Sequence, residues 1–396
     1  MKYDFETLMD RYDTGSFKYE QMIKWNPKVV EKKIVPLSVA DMEFKTPPEI
    51  VDALKRYLDN NILGYTGPTK EYFDAVIGWM KRKHDWDIKE RWIVTTPGVV
   101  GAFHMAISSL TKPGEGVIVM PPVYYPFYSA IEKGERKIVR NELKEVDGRY
   151  EIDFEDLEKK AKNPKNSTLL FCNPHNPVGR VWTREELLKV AEICEKYDVL
   201  VLSDEIHFDL IMPGHKHIVF ASLNDWARNH SVVFTAPSKT FNLAGMHTSN
   251  IVIPNGRLKK SCTQEMNRTA VMNLNALGYE ACKTAYNECE DWLEELIEVI
   301  HENHKLVKKH MAEHHPKIHV YDLEGTYLQW LDFRPLGMDK DELEKMLHEE
   351  ALVFLDEGYF FGKEGTGFER INLACPRAVL EDALNRITQA LKKRNK

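Results

Sequence analysis

The run Thr168-Leu169-Leu170-Phe171-Cys172-Asn173-Pro174-His175-Asn176-Pro177-Val178-Gly179 begins as a buried strand and ends as a rigid polar turn. Two Asn-Pro steps and a glycine stop the strand, because proline has no amide for a ladder and glycine accepts turn geometry. Thr183-Arg184-Glu185-Glu186 then has the spacing of a capping box, with Leu187, Ala191 and Cys194 at helical spacing after it. A second apolar run, Val199-Leu200-Val201-Leu202, ends in Ser203-Asp204-Glu205-Ile206-His207. Strand, helix, strand in this order is the crossover unit of a parallel sheet. Val117-Ile118-Val119-Met120 and Val232-Val233-Phe234 read as further strands of the same kind. The expected fold is α/β, with a three-layer large domain around a mostly parallel sheet. Ligands in such folds bind beyond the carboxyl ends of the strands.

From about Glu290 the pattern changes. Trp292, Leu296, Ile300 and Leu306 predict a long amphipathic helix to about His314. Residues 317–320 and 327–331 read as strands, and helices are expected over about 340–350 and 378–394. These make a smaller α+β C-terminal domain. The expected division is an irregular N-terminal segment, 1–45, packing with the small domain, a large domain over 46–288 and the small domain over 289–396.

The 396 residues carry a net charge of −7, with 43% apolar and 29% charged side chains. Length and balance suit a soluble globular protein of two domains. There is no basic stripe for nucleic acid, and no apolar stretch approaches the ~20 residues of a membrane helix. Met1-Lys2-Tyr3-Asp4-Phe5-Glu6 lacks the basic-then-apolar pattern of a secretion signal, so a cytoplasmic location is expected. Cysteines 172, 194, 262, 282, 289 and 375 form no CxxC pair and are expected to be reduced thiols. His301, His304, His310, His314 and His315 lie along one charged helical stretch, an arrangement poor for a metal, and no metal site is expected.

The chemistry centres on Lys239, in Ser238-Lys239-Thr240-Phe241-Asn242 just after the Val232 strand. A lysine amine at a sheet mouth can form a Schiff base with an aldehyde cofactor. Thr95-Thr96-Pro97-Gly98-Val99-Val100 opens a helix, and the Val99 and Val100 amides can bind a phosphate dianion there. Tyr124, in Pro121-Pro122-Val123-Tyr124-Tyr125, can stack on an aromatic ring. An amide in the Asn173 to Gly179 turn can donate to a ring oxygen. Asp204 can pair with a protonated ring nitrogen, keeping the ring electron-poor. His207 can contact the ring oxygen or orient a neighbour. Arg370, in Glu369-Arg370-Ile371-Asn372, can hold a carboxylate in a two-pronged grip.

Together these segments resemble the fold-type I pyridoxal-phosphate enzymes, the aminotransferase class I/II superfamily, over nearly the whole chain. Pro36-Leu37-Ser38-Val39-Ala40-Asp41-Met42-Glu43-Phe44, Gly64-Tyr65, Gly325-Thr326-Tyr327-Leu328-Gln329-Trp330 and residues 372–377 narrow the likeness. They are similar to the MalY/PatB-type cystathionine β-lyase (carbon–sulfur lyase) family. The resemblance implies a PLP-transferase-like large domain with pyridoxal 5′-phosphate on Lys239. It implies a ring held by Asn176, Asp204 and Tyr124, and a phosphate on the Val99 and Val100 amides with a Ser238 hydroxyl beside it. It also implies a homodimer with shared active sites, in which Tyr65 reaches the phosphate held by the partner subunit. Ala40 and Asp41 would line the substrate pocket. Many aminotransferases carry a phosphate-binding arginine eight residues after the lysine; here that position is His247, whose role stays open.

The implied reaction is α,β-elimination from L-cystathionine or a related S-substituted cysteine, giving pyruvate, ammonia and a thiol. Transamination on the same scaffold uses the same lysine and differs in where the proton returns. A reading of another class is a non-catalytic regulatory binding protein, although no DNA-binding appendage is visible. The expected partner is a small amino-acid substrate, with no nucleic acid and no membrane.

Overall fold

The computed structural model describes residues 1–271 and 274–394. The strands are β1 (Ile93–Thr96), β2 (Gly116–Val119), β3 (Lys137–Arg140), β4 (Lys144–Val146), β5 (Arg149–Glu151), β6 (Asn166–Cys172), β7 (Leu200–Asp204), β8 (Ser231–Thr235) and β9 (Ser249–Val252). Those after β9 are β10 (His319–Val320), β11 (Leu328–Asp332), β12 (Asp356–Glu357) and β13 (Phe368–Asn372). The main sheet has the order β1-β9-β8-β7-β6-β2-β3, and β4 and β5 form a separate hairpin. Strands β3, β2, β6, β7 and β8 pair in parallel, while β9 is antiparallel to both β8 and β1. Two reversals make β1 point the same way as the parallel strands. Its carboxyl end therefore opens on the same edge as theirs.

Successive strand residues alternate between the two faces, and here they feed two separate cores. Ile118, Leu169, Phe171 and Val201 pack with Leu157, Leu187 and Val190 of the helices on one face. Val117, Val119, Leu170 and Leu202 pack with Phe103, Ile107 and Ile131 on the other. Burial on both faces explains why these strands read as unbroken apolar runs. The helix Arg184–Tyr197 starts at a complete capping box. The Glu186 amide donates to Thr183 Oγ1 at 3.2 Å, and the Thr183 amide donates to Glu186 Oε2 at 2.7 Å.

The second sheet is antiparallel, β10-β11-β13-β12. Leu328, Leu331 and Ile371 on it share a core with Leu296, Ile300 and Val307 of the helix Glu290–His314 and with Leu380 and Leu384 of the helix Arg377–Arg394. Two local expectations need correction. The N-terminal segment is not irregular throughout, because Phe17–Trp25 is a helix whose Lys18 and Tyr19 are buried. The helix expected over 340–350 is α-helical only over Lys340–Lys345 and continues as a wider π-helical turn, Met346–Ala351. Three histidines in and just after the long helix make side-chain hydrogen bonds. His304 Nδ1 meets Gln329 Oε1, and His310 and His315 both meet Thr388 Oγ1. No helix among the described residues is long and apolar enough to cross a membrane.

Candidate active site

A cavity of about 340 Å³ lies at the carboxyl edge of the main sheet, within the range of small-ligand sites. Each of its polar walls follows a strand. Val99 and Val100 follow β1, Tyr124 follows β2, Asn176 follows β6, Asp204 ends β7, and Lys239 follows β8. Ala40, His207, Ser238 and His247 complete the polar and backbone lining.

Gly98 precedes the helix Val99–Leu110 with φ 98, a conformation that a side chain resists, and offers no side-chain cap. The first-turn amides of Val99 and Val100 are thereby left for an anion, with the helix dipole behind them. Asp204 is only 3% exposed. Its Oδ1 accepts from the Ile206 amide at 3.2 Å, and Oδ2 has no partner among the described residues. Burial pushes its carboxyl up to about 7, opposed by that amide. An uncompensated buried acid of this kind favours a cationic partner. His207 is also buried, which holds its imidazole neutral, and its Nδ1 has no hydrogen-bond partner.

Lys239 keeps some accessible surface because it faces the cavity, but its amine lies deep inside. Burial lowers it from 10.5 to about 8, against the attraction of Asp41. The amine donates to the Ala40 carbonyl at 2.6 Å, and Tyr327 Oη donates to the same oxygen at 2.8 Å. Next to it, Thr240 Oγ1 donates to Asp209 at 2.7 Å, and Asp209 also takes Trp79 Nε1 and His84 Nε2. This buried network fixes the turn that carries the lysine. Asp209 does not stand out in the sequence, since nothing local marks a carboxylate that anchors a neighbour's hydroxyl, and Tyr327 stands out only as part of the Gly325 to Trp330 segment, with no role of its own.

Three expected residues do not line the cavity. Arg370 lies just behind it and is already engaged. Its Nη1 donates to Asn176 Oδ1 at 2.7 Å, and its Nε and Nη2 both donate to Asp356 Oδ2. With its oxygen so occupied, Asn176 keeps its Nδ2 free to donate. Asp41 is not a free pocket wall, because its carboxylate pairs with Arg11 at 2.8 Å and Lys18 at 3.0 Å. These cations, with Glu43, come from the N-terminal segment and pull the acid away from the cavity lining. Tyr65 lies outside the cavity and is fully exposed, on an extended stretch where Ile62 and Leu63 are exposed too. His247 lines the cavity with φ 48.

The Val39-Ala40-Asp41 strip is tightly held. Val39 has φ 54, which is costly for a β-branched residue. Its amide donates to Asp356 at 3.0 Å, and Asn372 Nδ2 donates to the carbonyls of Val39 and Asp41 at 2.8 and 2.7 Å.

Residues 32–387 match the family model for aminotransferase class I and II. The chain belongs to this family. Among its relatives is the cystathionine beta-lyase PatB of Bacillus subtilis, 43% identical over 98% of this chain and 100% of that protein. Among solved structures, cystalysin from Treponema denticola, which contains a pyridoxal 5′-phosphate cofactor, superposes with a TM-score of 0.98. It shares 51% identity, covering 99% of this chain and 100% of its own. The PLP-bound C-S lyase of Staphylococcus hominis superposes with a TM-score of 0.89 at 30% identity, covering 98% and 99%. The family places its members in the α/β, PLP-transferase-like fold described above.

Proposed function

We propose that this chain is a pyridoxal-phosphate-dependent carbon–sulfur lyase. It cleaves L-cystathionine or a related S-substituted cysteine, with water, to a thiol, pyruvate and ammonia. The observation that carries the reading is the pairing, in one cavity, of a buried Lys239 amine held toward neutrality with a buried Asp204 carboxyl whose Oδ2 has no partner among the described residues.

The residues fit the cofactor. The Val99 and Val100 amides suit its phosphate, with the Ser238 hydroxyl beside them, and Tyr65 suits the phosphate held by a partner subunit. Asp204 suits the pyridine nitrogen, Asn176 Nδ2 suits the ring oxygen with His207 close by, and Tyr124 suits a stacking position. When bound, pyridoxal phosphate supplies an electron-poor ring that takes up the charge left at Cα.

Arg370 receives the substrate carboxylate on the part of its guanidinium that Asp356 leaves free, and the Ala40 strip closes the pocket beside it. Lys239, neutral once released from the cofactor, removes the Cα proton as a general base. The thiolate then departs from Cβ. Asp204 would hold the ring nitrogen of the bound cofactor in its protonated form, keeping the ring electron-poor.

Elimination rather than transamination is supported by the full-length likeness to a cystathionine beta-lyase and to a C-S lyase. A homodimer with shared sites is supported by the exposed Ile62, Leu63 and Tyr65. A cytoplasmic location is supported by six free, buried cysteines.

The test is to give the purified holoenzyme L-cystathionine with no keto-acid acceptor. Stoichiometric pyruvate and homocysteine, absent in Lys239→Ala, are expected. Turnover that requires an acceptor would replace the lyase with an aminotransferase.

A further inference from the structure

One cluster of ionisable side chains has no part in the site above. Strand β12 pairs with β13 so that Asp356 sits opposite Arg370 and Glu357 opposite Glu369. Side chains alternate across a strand. The Arg370–Asp356 pair is thus on one face of this edge, and Glu357 and Glu369 are on the other. Both glutamates are only 2% exposed. Among the described residues, neither carboxylate oxygen of Glu357 has a hydrogen-bond partner, and nor has Oε2 of Glu369. Native interiors rarely leave buried carboxylates in this state, because the loss of hydration is uncompensated.

Two more donors face Glu357. Glu344 comes from the helix Lys340–Lys345, and His348 comes from the π-helical turn that follows it. One donor atom from each of Glu344, His348 and Glu357 lies within 4.8 Å of the others. His348 Nε2 is 3.0 Å from Glu357 Oε1, yet the approach is off the hydrogen-bonding direction. That separation is near that of two ligands of one ion. Imidazole and carboxylate donors each roughly 2.1 Å from a tetrahedral metal are about 3.4 Å apart, so this pair needs to open by only a few tenths of an ångström to hold one. The donors are also held in place. The His348 ring stacks against Trp25 at 4.9 Å and Phe354 at 4.7 Å, and Tyr359 Oη donates to Glu344 Oε2 at 3.1 Å. Outer contacts of this kind orient ligands in metal sites. Glu369 faces Glu357 across the β12–β13 pair, so two buried carboxyls share this face and repel each other when ionised. A cation would relieve that repulsion.

We propose that Glu344, His348 and Glu357 bind a divalent transition-metal cation, with Glu369 beside it, and that the ion braces the edge carrying Arg370 and Asp356. One imidazole with carboxylates is a donor set suited to Zn²⁺. Glu344 and His348 lie four residues apart on one helical stretch and Glu357 comes from β12, whereas the histidine run of the long helix lies elsewhere.

The experiment uses the holoenzyme, treated with a chelator and dialysed, then titrated with Zn²⁺ by calorimetry with bound metal counted by mass spectrometry. Wild type is expected to take up one ion per chain at least tenfold more tightly than Glu357→Gln or the milder, partly exposed Glu344→Gln. Zn²⁺ is expected to raise the unfolding temperature of wild type and not of either variant. The visible absorbance of bound cofactor reports that each variant is folded. Equal uptake and equal thermal shifts in all three proteins would overturn the proposal and leave a cluster of carboxyls sharing protons. Metal count and unfolding temperature do not depend on lyase activity, so this result and that of the cystathionine assay stand apart.

Discussion

Asp356 grips Arg370 along one edge of the guanidinium, through Nε at 3.2 Å and Nη2, while Asn176 takes Nη1 at 2.7 Å. The same carboxylate accepts from the Val39 amide, so one side chain sets both the carboxylate grip and the strip beside it. Asp356→Ala is expected to raise KM for the amino-acid substrate roughly 10–100-fold, with a smaller change in kcat. Steady-state kinetics checks this. An unchanged KM would mean that Asn176 orients Arg370 alone.

The Lys239 amine must be neutral to capture the cofactor aldehyde. Burial brings it down to about 8, so the rate of cofactor capture by the apoprotein should climb with pH and level off above about 8. An unshifted lysine would keep climbing toward 10.5. The sign for stability follows from the same shift. Between about 8 and 10.5 the unfolded chain binds more protons at this residue than the folded apoprotein, so its contribution to stability rises with pH there. Stopped-flow absorbance across this range reads the first effect and chemical denaturation the second.

Asp204→Asn removes the only carboxylate of the cavity lining and keeps its shape. The expected loss is roughly 10²–10³-fold in kcat, comparable to removing one preorganised electrostatic partner. Cofactor absorbance should persist, showing a folded and loaded protein. A kcat within threefold of wild type would exclude Asp204 as the ring partner.

Tyr65 is fully exposed and its hydroxyl makes no hydrogen bond among the described residues, so Tyr65→Phe should break none within the chain. Its effect on monomer stability should lie within about 0.5 kcal/mol. If the hydroxyl meets a phosphate across a subunit boundary, cofactor affinity should fall roughly 10-fold or more. Fluorescence titration of the apoprotein with cofactor measures this.

Gly358→Ala tests packing in the turn that follows β12. Its Cβ would lie 2.1 Å from the Gly365 carbonyl oxygen and 2.5 Å from that of Phe368, both backbone atoms that cannot swing away. A loss of about 1–3 kcal/mol in stability is expected, visible as a lower unfolding temperature.

The main sheet could be read from sequence because each buried strand is a short apolar run followed at once by a polar turn, as in Leu169 to Asn176 and Val201 to Asp204. Both signals are local. The cavity's strand-end residues were legible for the same reason. The pairing of Asp41 with Lys18 and Arg11 was not, because those partners sit about 20 to 30 positions away in a segment that shows little periodicity. Asp356 was equally hidden. Its role depends on the register of β12 against β13, and two residues of strand carry no pattern. The π-helical turn at Met346–Ala351 was masked because its sequence keeps ordinary helical spacing.

In the proposed site, Val99 and Val100 would serve through first-turn amides, and Ala40 accepts from Lys239 through its carbonyl. Alanine scanning would pass over all three, since trimming a side chain leaves an amide or a carbonyl where it was. Evolutionary drift can likewise change these residues without touching the chemistry, provided the backbone holds its path. The proposed ring end of the cavity has no such latitude, because Asp204 and Asn176 would act there through side chains. The site is therefore divided into a half that tolerates spelling changes and a half that does not. A search for distant relatives should weight the second half and ignore residue identity in the first.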